Sequence, residues 1–454
     1  MRRFITENLG FVLILLVWLF GTYFLAVGML PAILLSLIFF QVRGMHKQIF
    51  FGLIFIIFMS DSRNMNLFSA SSIKEVYVVF MGIFMLFSQN NFKPFQRIYK
   101  PFLPFLLYSV VVAFRNPDIV LSLQKVFSYG LMYLVVPGYV SRGFREEGER
   151  YIGDLLNYLG FLLLLGFLFL PILGPNAYIG GRYAGPLGNP NGLGLYCSVF
   201  FILIVIFSRN FPTVLGKQEK FFLLLLTLVS LAMSGSRNAT VTILLFVLLG
   251  RVFSASNLFG FVTILGVVVF NAQIGAVLEW LVRMLGLGEF YRLKGLEEGS
   301  GRLVAWLFAW QNILDEPVLG SGFNYTNYLF DKNFIQLSLK GHQGNAHNTF
   351  LTFWLDTGFI GLVLFLRGFF LSFYWHSKTS RLVLPAMFSL LFSMFFESWF
   401  TSALNPVTFQ VIALFSVMDS RSNEHPMDSD AVSGVETDVP VPIEEDNSSL
   451  QLSG

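Results

Sequence analysis

Leu193-Gly194-Leu195-Tyr196-Cys197-Ser198-Val199-Phe200-Phe201-Ile202-Leu203-Ile204-Val205-Ile206-Phe207 carries no charge over its whole length. Extended to 190–208, it approaches the roughly 20 residues that an α-helix needs to cross a bilayer. In hydrocarbon, backbone N–H and C=O groups must be satisfied within the segment, so such a run reads as a helix. Similar runs recur at 8–26, 28–41, 48–60, 74–88, 101–114, 119–140, 151–172, 219–233, 238–253, 257–276, 347–374, 381–398 and 404–418. Several fall short of a full crossing. The pair 8–26 and 28–41 fits either a tight hairpin or one broken helix. The expectation is an all-α polytopic membrane protein with about 12–14 transmembrane helices and one large periplasmic loop.

Composition agrees. Of 454 residues, 55% are hydrophobic, 13% are charged and 54 are Phe, whereas soluble domains carry roughly 25% charge. The one cysteine, Cys197, makes neither an internal disulfide nor a metal site. Met1-Arg2-Arg3 followed by apolar Phe11–Phe24 has the shape of a signal peptide, with Ala26-Val27-Gly28 as a weak cleavage-like site. Because the apolar sequence resumes at once, an uncleaved first helix is the better reading.

Lys and Arg in the short connections set the orientation. With the N-terminus in the cytoplasm, that side holds sixteen cations, among them Arg2, Arg3, Arg43, Lys47, Arg142 and Arg150. The opposite short connections keep six: Arg63, Lys74, Arg115, Lys125, Arg182 and Arg237. Four regions follow: helices over 1–276, a large periplasmic loop over 277–346, C-terminal helices over 347–418, and a tail over 419–454. The tail holds nine acids against Arg421 alone, so it should be disordered and cytoplasmic. Within the long loop, Arg302–Leu314 places apolar residues around Trp306 and Trp310 at helical spacing, as in a helix lying in the interface. Asp315-Glu316-Pro317 ends it, and Gly320-Ser321-Gly322 makes a turn.

The few outer cations invite explanation. Arg182 lies in Gly180-Gly181-Arg182-Tyr183-Ala184-Gly185, ahead of Asn189-Pro190, a helix start with Asn as cap and Pro in the first turn. Arg237 follows Ser236 before another apolar run, and Arg302 opens the interfacial helix. A guanidinium is a rigid fork of donors that matches phosphate oxygens. For any one arginine alone, pairing with a lipid headgroup or capping a loop is the commoner case. His347, in Gly344-Asn345-Ala346-His347-Asn348-Thr349, stands where the loop meets an apolar helix. An imidazole there can take a proton from a hydroxyl, and a helix start favours its neutral, base-competent form. A lone interfacial His is more commonly bonded to loop backbone, and His342 competes with it from farther into the loop. Asp356 is an intramembrane carboxylate, a functional candidate by default that an arginine pairing would also explain. Glu397 is such a partner or a substrate contact, and neither acid is given a catalytic role. Gly358 and Gly361 read as permitting close helix packing.

Taken in order, Arg182-Tyr183-Ala184-Gly185…Asn189-Pro190-Asn191-Gly192, Ser236-Arg237, Gly301-Arg302…Trp306…Trp310…Pro317…Gly320-Ser321-Gly322 and His347-Asn348-Thr349-Phe350-Leu351…Gly358-Phe359-Ile360-Gly361 resemble the O-antigen ligase/polymerase (Wzy/WaaL-type) superfamily. The resemblance implies a metal-independent, cofactor-free inverting glycan transferase of the bacterial inner membrane, with its active site facing the periplasm. It implies an undecaprenyl-diphosphate-linked glycan donor, a glycan or lipid A-core acceptor and a chain-length regulator as partners, and no nucleic acid. Carried over, His347 activates the acceptor hydroxyl, while Arg182, Arg237 and Arg302 hold the diphosphate. The rival reading is a transporter or flippase for a lipid-linked glycan or small anion. Ion-coupled carriers place ionisable groups near the midplane, where Asp356 is nearly the only acid.

Overall fold

The computed structural model describes residues 1–62, 65–87, 96–270, 302–342, 344–402 and 404–424, with isolated residues between 276 and 284. It is an all-α polytopic membrane protein whose only strands, among the described residues, are two of two residues each. In chain order the helices are α1 (Arg2–Glu7), α2 (Leu9–Leu25), α3 (Leu30–Val42), α4 (His46–Ser60), α5 (Met65–Phe68), α6 (Ala70–Phe87), α7 (Gln96–Ala113) and α8 (Ile119–Glu147). There follow α9 (Glu149–Leu168), α10 (Leu170–Leu173), strands β1 (Tyr178–Ile179) and β2 (Arg182–Tyr183), α11 (Pro190–Asn210), α12 (Lys217–Ser234), α13 (Arg237–Ala255) and α14 (Asn257–Val269). The last set is α15 (Arg302–Ile313), α16 (Tyr325–Lys332), α17 (Phe334–Leu339), α18 (Thr349–Ser377), α19 (Val383–Phe396) and α20 (Thr408–Glu424).

Among the described residues, seven helical stretches are long and apolar enough to cross a membrane, and five shorter apolar helices stand among them. Their outward faces carry the side chains that a lipid-facing surface requires, such as Val17, Phe24, Leu86 and Phe221. The open question at the start of the chain resolves as a tight hairpin. Phe11 packs on Phe40 with ring centres 5.8 Å apart, and Trp18 Nε1 reaches Ser36 Oγ at 3.4 Å, so α2 and α3 run side by side. Helix α20 continues to Glu424, with Asp419 and Ser420 buried. Residues 425–454, most of the expected tail, lie outside the described residues, as does much of the loop before Arg302.

Charge sorts to the two ends of the bundle. At one end Lys47 Nζ lies 2.7 Å from Glu147 and 2.8 Å from the fully buried Asp154, Arg150 pairs with Glu7, and the amino group of Met1 meets Glu219. These are the cations that the sequence groups with the N-terminus. At the other end, past Ser60 of α4, stand Arg182, Arg302, His347 and Glu397. Here the loop after α15 is stitched into the bundle. Arg115 pairs with Glu316 at 2.8 Å, and Asn116 Nδ2 and Ser122 Oγ both donate to the Phe323 carbonyl.

Helix α18 is not continuous. Gly358 has φ 66° and ψ −176°, and residues 317–322 fill the gap it opens. Ser321 and Gly322 donate their N–H groups to the carbonyls of Leu355 and Asp356, while Phe359 and Ile360 donate to Pro317 and Val318. The expectation that Gly358 serves helix packing is therefore replaced. A Cβ there would overlap the Val318 carbonyl of the inserted loop, so glycine is needed both for its backbone angles and for the loop's close approach. Gly361 does face a neighbouring helix, where a Cβ would lie 3.2 Å from the Tyr108 ring.

Candidate functional site

The site is assembled from local structures that the sequence builds independently. Gly180 and Gly181, with φ 55° and 73°, make the two-residue turn that joins β1 to β2 and leave Arg182 on the second strand. Nearby, Asn189 caps α11 by accepting the N–H of Asn191 at 2.9 Å, with Pro190 in the first turn as expected. Arg182 then reaches both neighbours. Its Nε donates to the Ser234 carbonyl at the end of α12, and its Nη2 donates to Asn191 Oδ1, each at 2.7 Å. Arg237 is the first residue of α13, and the next residue, Asn238, donates to the Ser393 carbonyl of α19 at 3.2 Å.

His347 sits in a tight turn with φ 45°, its own N–H donated to Asn345 Oδ1 at 2.8 Å. The next residue, Asn348, is the cap of α18; its Oδ1 accepts from Phe350 and Leu351. His347 thus projects from the turn just ahead of the helix. Helix α15 brings Arg302 over the same place. Its buried face of Ala305, Ala309 and Ile313 packs on Phe330, Leu337 and Leu351, while Leu303, Leu307 and Trp310 stay exposed.

Glu397 joins these parts. It follows α19 in an extended conformation and is only 7% exposed. Oε1 accepts from Arg302 Nη2 at 2.6 Å and from Asn191 Nδ2 at 3.1 Å, and Oε2 lies 3.2 Å from His347 Nδ1. Its backbone carbonyl takes the Thr349 hydroxyl at 2.8 Å. An ionised carboxylate only accepts, so Nδ1 of His347 is the nitrogen that carries hydrogen. Nε2 is then the basic atom of the neutral ring, and among the described residues it has no hydrogen-bond partner. The Arg302 guanidinium also lies 5.9 Å above the Phe396 ring, which fixes its plane. Arg182, Arg302 and His347 thus belong to one connected network through Asn191 and Glu397, with Arg237 at the start of the neighbouring helix.

Sequence reasoning gave Glu397 no catalytic role and missed Asn191 as a link and the hairpin that presents Arg182. The signal for Glu397 was its surroundings: it is the only acid in Phe395-Phe396-Glu397-Ser398-Trp399-Phe400. Asp356 differs from expectation in its partner. It accepts the N–H groups of Asn324 and Thr326 at 3.0 and 2.7 Å and the Thr326 hydroxyl at 2.7 Å, so it anchors the loop rather than an arginine. His342 is closer to the site than its place in the loop suggests. It is buried edge-on against His347, ring centres 5.6 Å apart, with Nε2 2.9 Å from the Asn345 carbonyl. Burial holds its pKa below the ordinary histidine value; the Asn345 carbonyl opposes that shift and the neighbouring His347 adds to it.

An O-antigen ligase family model (Wzy_C) matches residues 222–366, from α12 into α18. A protein of Rickettsia bellii (strain RML369-C) that bears the name "Putative polysaccharide ligase" is 24% identical over 293 residues, 63% of this chain. The match covers 58% of that relative's length. Arg182 and Glu397 lie outside the matched segment, and the bonds described above bring them to it. Through residues 222–366, which hold Arg237, Arg302 and His347, the chain is similar to the O-antigen ligase family, as its motifs led one to expect.

Proposed function

We propose that this protein transfers or polymerises glycan from an undecaprenyl-diphosphate carrier at the periplasmic face of the bacterial inner membrane, in the making of a surface polysaccharide. The observation that carries the reading is the Glu397 carboxylate shared between His347 and Arg302. One carboxylate there orients a base and holds a phosphate-matching cation beside it. The reaction is a single displacement. Nε2 of His347 takes the proton of an acceptor hydroxyl while its oxygen bonds to the anomeric carbon, and the bond from that carbon to the diphosphate oxygen breaks. The leaving group departs with the electron pair, so the anomeric configuration inverts. Arg302, with Arg182 and Arg237, faces the charge that develops on the diphosphate. Glu397 keeps His347 in the tautomer the step requires and stabilises the imidazolium formed. Guanidinium charge provides the neutralisation, so the step is read as metal-independent. The placing of this end in the periplasm rests on the cation bias of the connections. Transport is the weaker reading because Asp356, the mid-segment acid, is engaged by loop N–H groups.

A strain lacking the protein, with its surface polysaccharide resolved by length, tests the reading. Loss of capped lipid A-core with carrier-linked chains retained indicates ligation; a single-repeat product indicates polymerisation. His347→Ala and Arg237→Ala are expected to abolish product at normal membrane levels. Full activity in His347→Ala removes it as the base, and solute transport in liposomes without a glycan donor supports the carrier instead.

A further inference from the structure

Next to the His347–Glu397 pair lies a cavity of about 210 Å3 that none of the three arginines lines. Its walls include Lys74 of α6, Lys125 of α8, Asn327 of α16, Thr352 of α18, and Asn345 and Ser398, which stand two residues before His347 and one after Glu397. The lining is mainly hydroxyl, amide and charged groups, with Phe323 and Leu404 as its apolar members.

The charges in this wall are already engaged. Lys125 Nζ lies 3.7 Å from Glu75, and Lys74 donates to Ser60 Oγ and the Leu404 carbonyl at 3.2 and 3.3 Å. The carboxylate of Asp356, which also lines the cavity, is taken up by Asn324 and Thr326. A diphosphate is best matched by guanidinium forks, none of which lines this cavity, and a carried cation needs carboxylate lone pairs turned inward. The cavity is built for neither. Its hydroxyls and amides both donate and accept, which is what the adjacent hydroxyls of a sugar ring require. An occupant there borders Asn345, whose side chain accepts the His347 N–H, and Ser398, the residue after Glu397, so it lies beside the proposed base.

We propose that this cavity is the acceptor subsite, holding a neutral, hydroxyl-rich saccharide unit, with the exposed side chains of Lys125 and Asn327 at its rim. The inference rests on the glycan-transfer reading and adds the place and chemistry of the acceptor. It separates the two substrates: the leaving group on the arginines, the attacking sugar in the polar cavity.

The test uses the full-length protein in lipid nanodiscs, passed over an array of immobilised neutral and uronic-acid-containing oligosaccharides without carrier lipid. Binding of undecaprenyl diphosphate is measured in parallel. Wild type and His347→Ala should both retain neutral oligosaccharides. Asn327→Ala and Lys125→Ala, which change exposed rim side chains, should each weaken retention by about tenfold. Ser402→Trp, which fills the cavity from its exposed edge, should abolish it. Undecaprenyl diphosphate should bind all of them alike. Retention unchanged in the three cavity variants, a preference for acidic glycans, retention of no oligosaccharide, or loss of diphosphate binding in these variants would each overturn the subsite. Failure of the glycan-transfer reading has a different signature: undecaprenyl diphosphate then does not bind wild type, or binds it with no dependence on Arg302.

Discussion

Glu397 holds His347 and Arg302 on opposite oxygens of one carboxylate, at 3.2 and 2.6 Å. Glu397→Gln keeps the shape but puts a donor where one of the two partners needs an acceptor. Product formation should fall by roughly 10²- to 10⁴-fold, the range for loss of positioned acid–base catalysis. A glycan-transfer assay in membranes, normalised to protein level, reads this directly. A rate equal to wild type would leave the carboxylate without a part in the chemistry.

Arg302 gives one Nη to Glu397, and a guanidinium has further N–H donors with which to meet the proposed diphosphate. Arg302→Lys preserves the charge and loses the fork and the planar contact with Phe396. Undecaprenyl-diphosphate binding should weaken by about tenfold in Arg302→Lys and further in Arg302→Ala. Native mass spectrometry of the purified protein separates the two variants; equal affinity in all three would assign Arg302 a purely structural place.

The break in α18 is open to a thermal test. Gly358 has backbone angles that only glycine adopts readily, and its Cα faces the Val318 carbonyl. Gly358→Ala should cost about 3 kcal/mol and lower the melting temperature in detergent. Gly130→Ala, on α8 with open space around it, should stay within about 1 kcal/mol of wild type. Similar melting of the two variants would contradict the inserted-loop geometry.

His342 gives the loop a pH dependence of fixed sign. Its folded-state pKa is lowered from the ordinary 6.5, chiefly by burial, so the unfolded chain takes up the proton first as pH falls. The stability that neutral His342 contributes is complete above that value. It declines as pH drops through it toward the folded pKa. Melting at pH 7.5 and pH 5.5 should differ by less in His342→Gln than in wild type; the same difference in both would place the dependence elsewhere.

The helices were legible because hydrocarbon tolerates so few backbone arrangements: α11, α12, α13 and α18 begin and end within a few residues of the apolar runs. Arg302 and His347 were legible as members of one site because an ordered set of motifs linked them. Glu397 was legible as an arginine's partner, but not as the acid that Arg302 and His347 share. Glu397 is 95 residues from Arg302 and 50 from His347, and nothing in the local sequence states which distant groups a buried carboxylate meets. The break at Gly358 was hidden for a different reason. Apolar residues continue on both sides of it, so hydropathy reads one helix where the backbone hydrogen bonds describe two. Asp356 misled because an acid in a membrane helix invites an arginine, whereas backbone N–H groups of a folded loop satisfy it equally well.

The loop threaded into α18 also constrains the order in which the molecule is made. Residues 317–322 leave the ribosome before the helix that they complete, and they bond to groups on both sides of Gly358. Until that helix is in place, the carbonyls of Pro317 and Val318 lack these partners; until the loop docks, those of Leu355 and Asp356 do. Neither half is finished alone. The inserted loop and the helix it completes are therefore finished together, once the C-terminal third of the chain has been made.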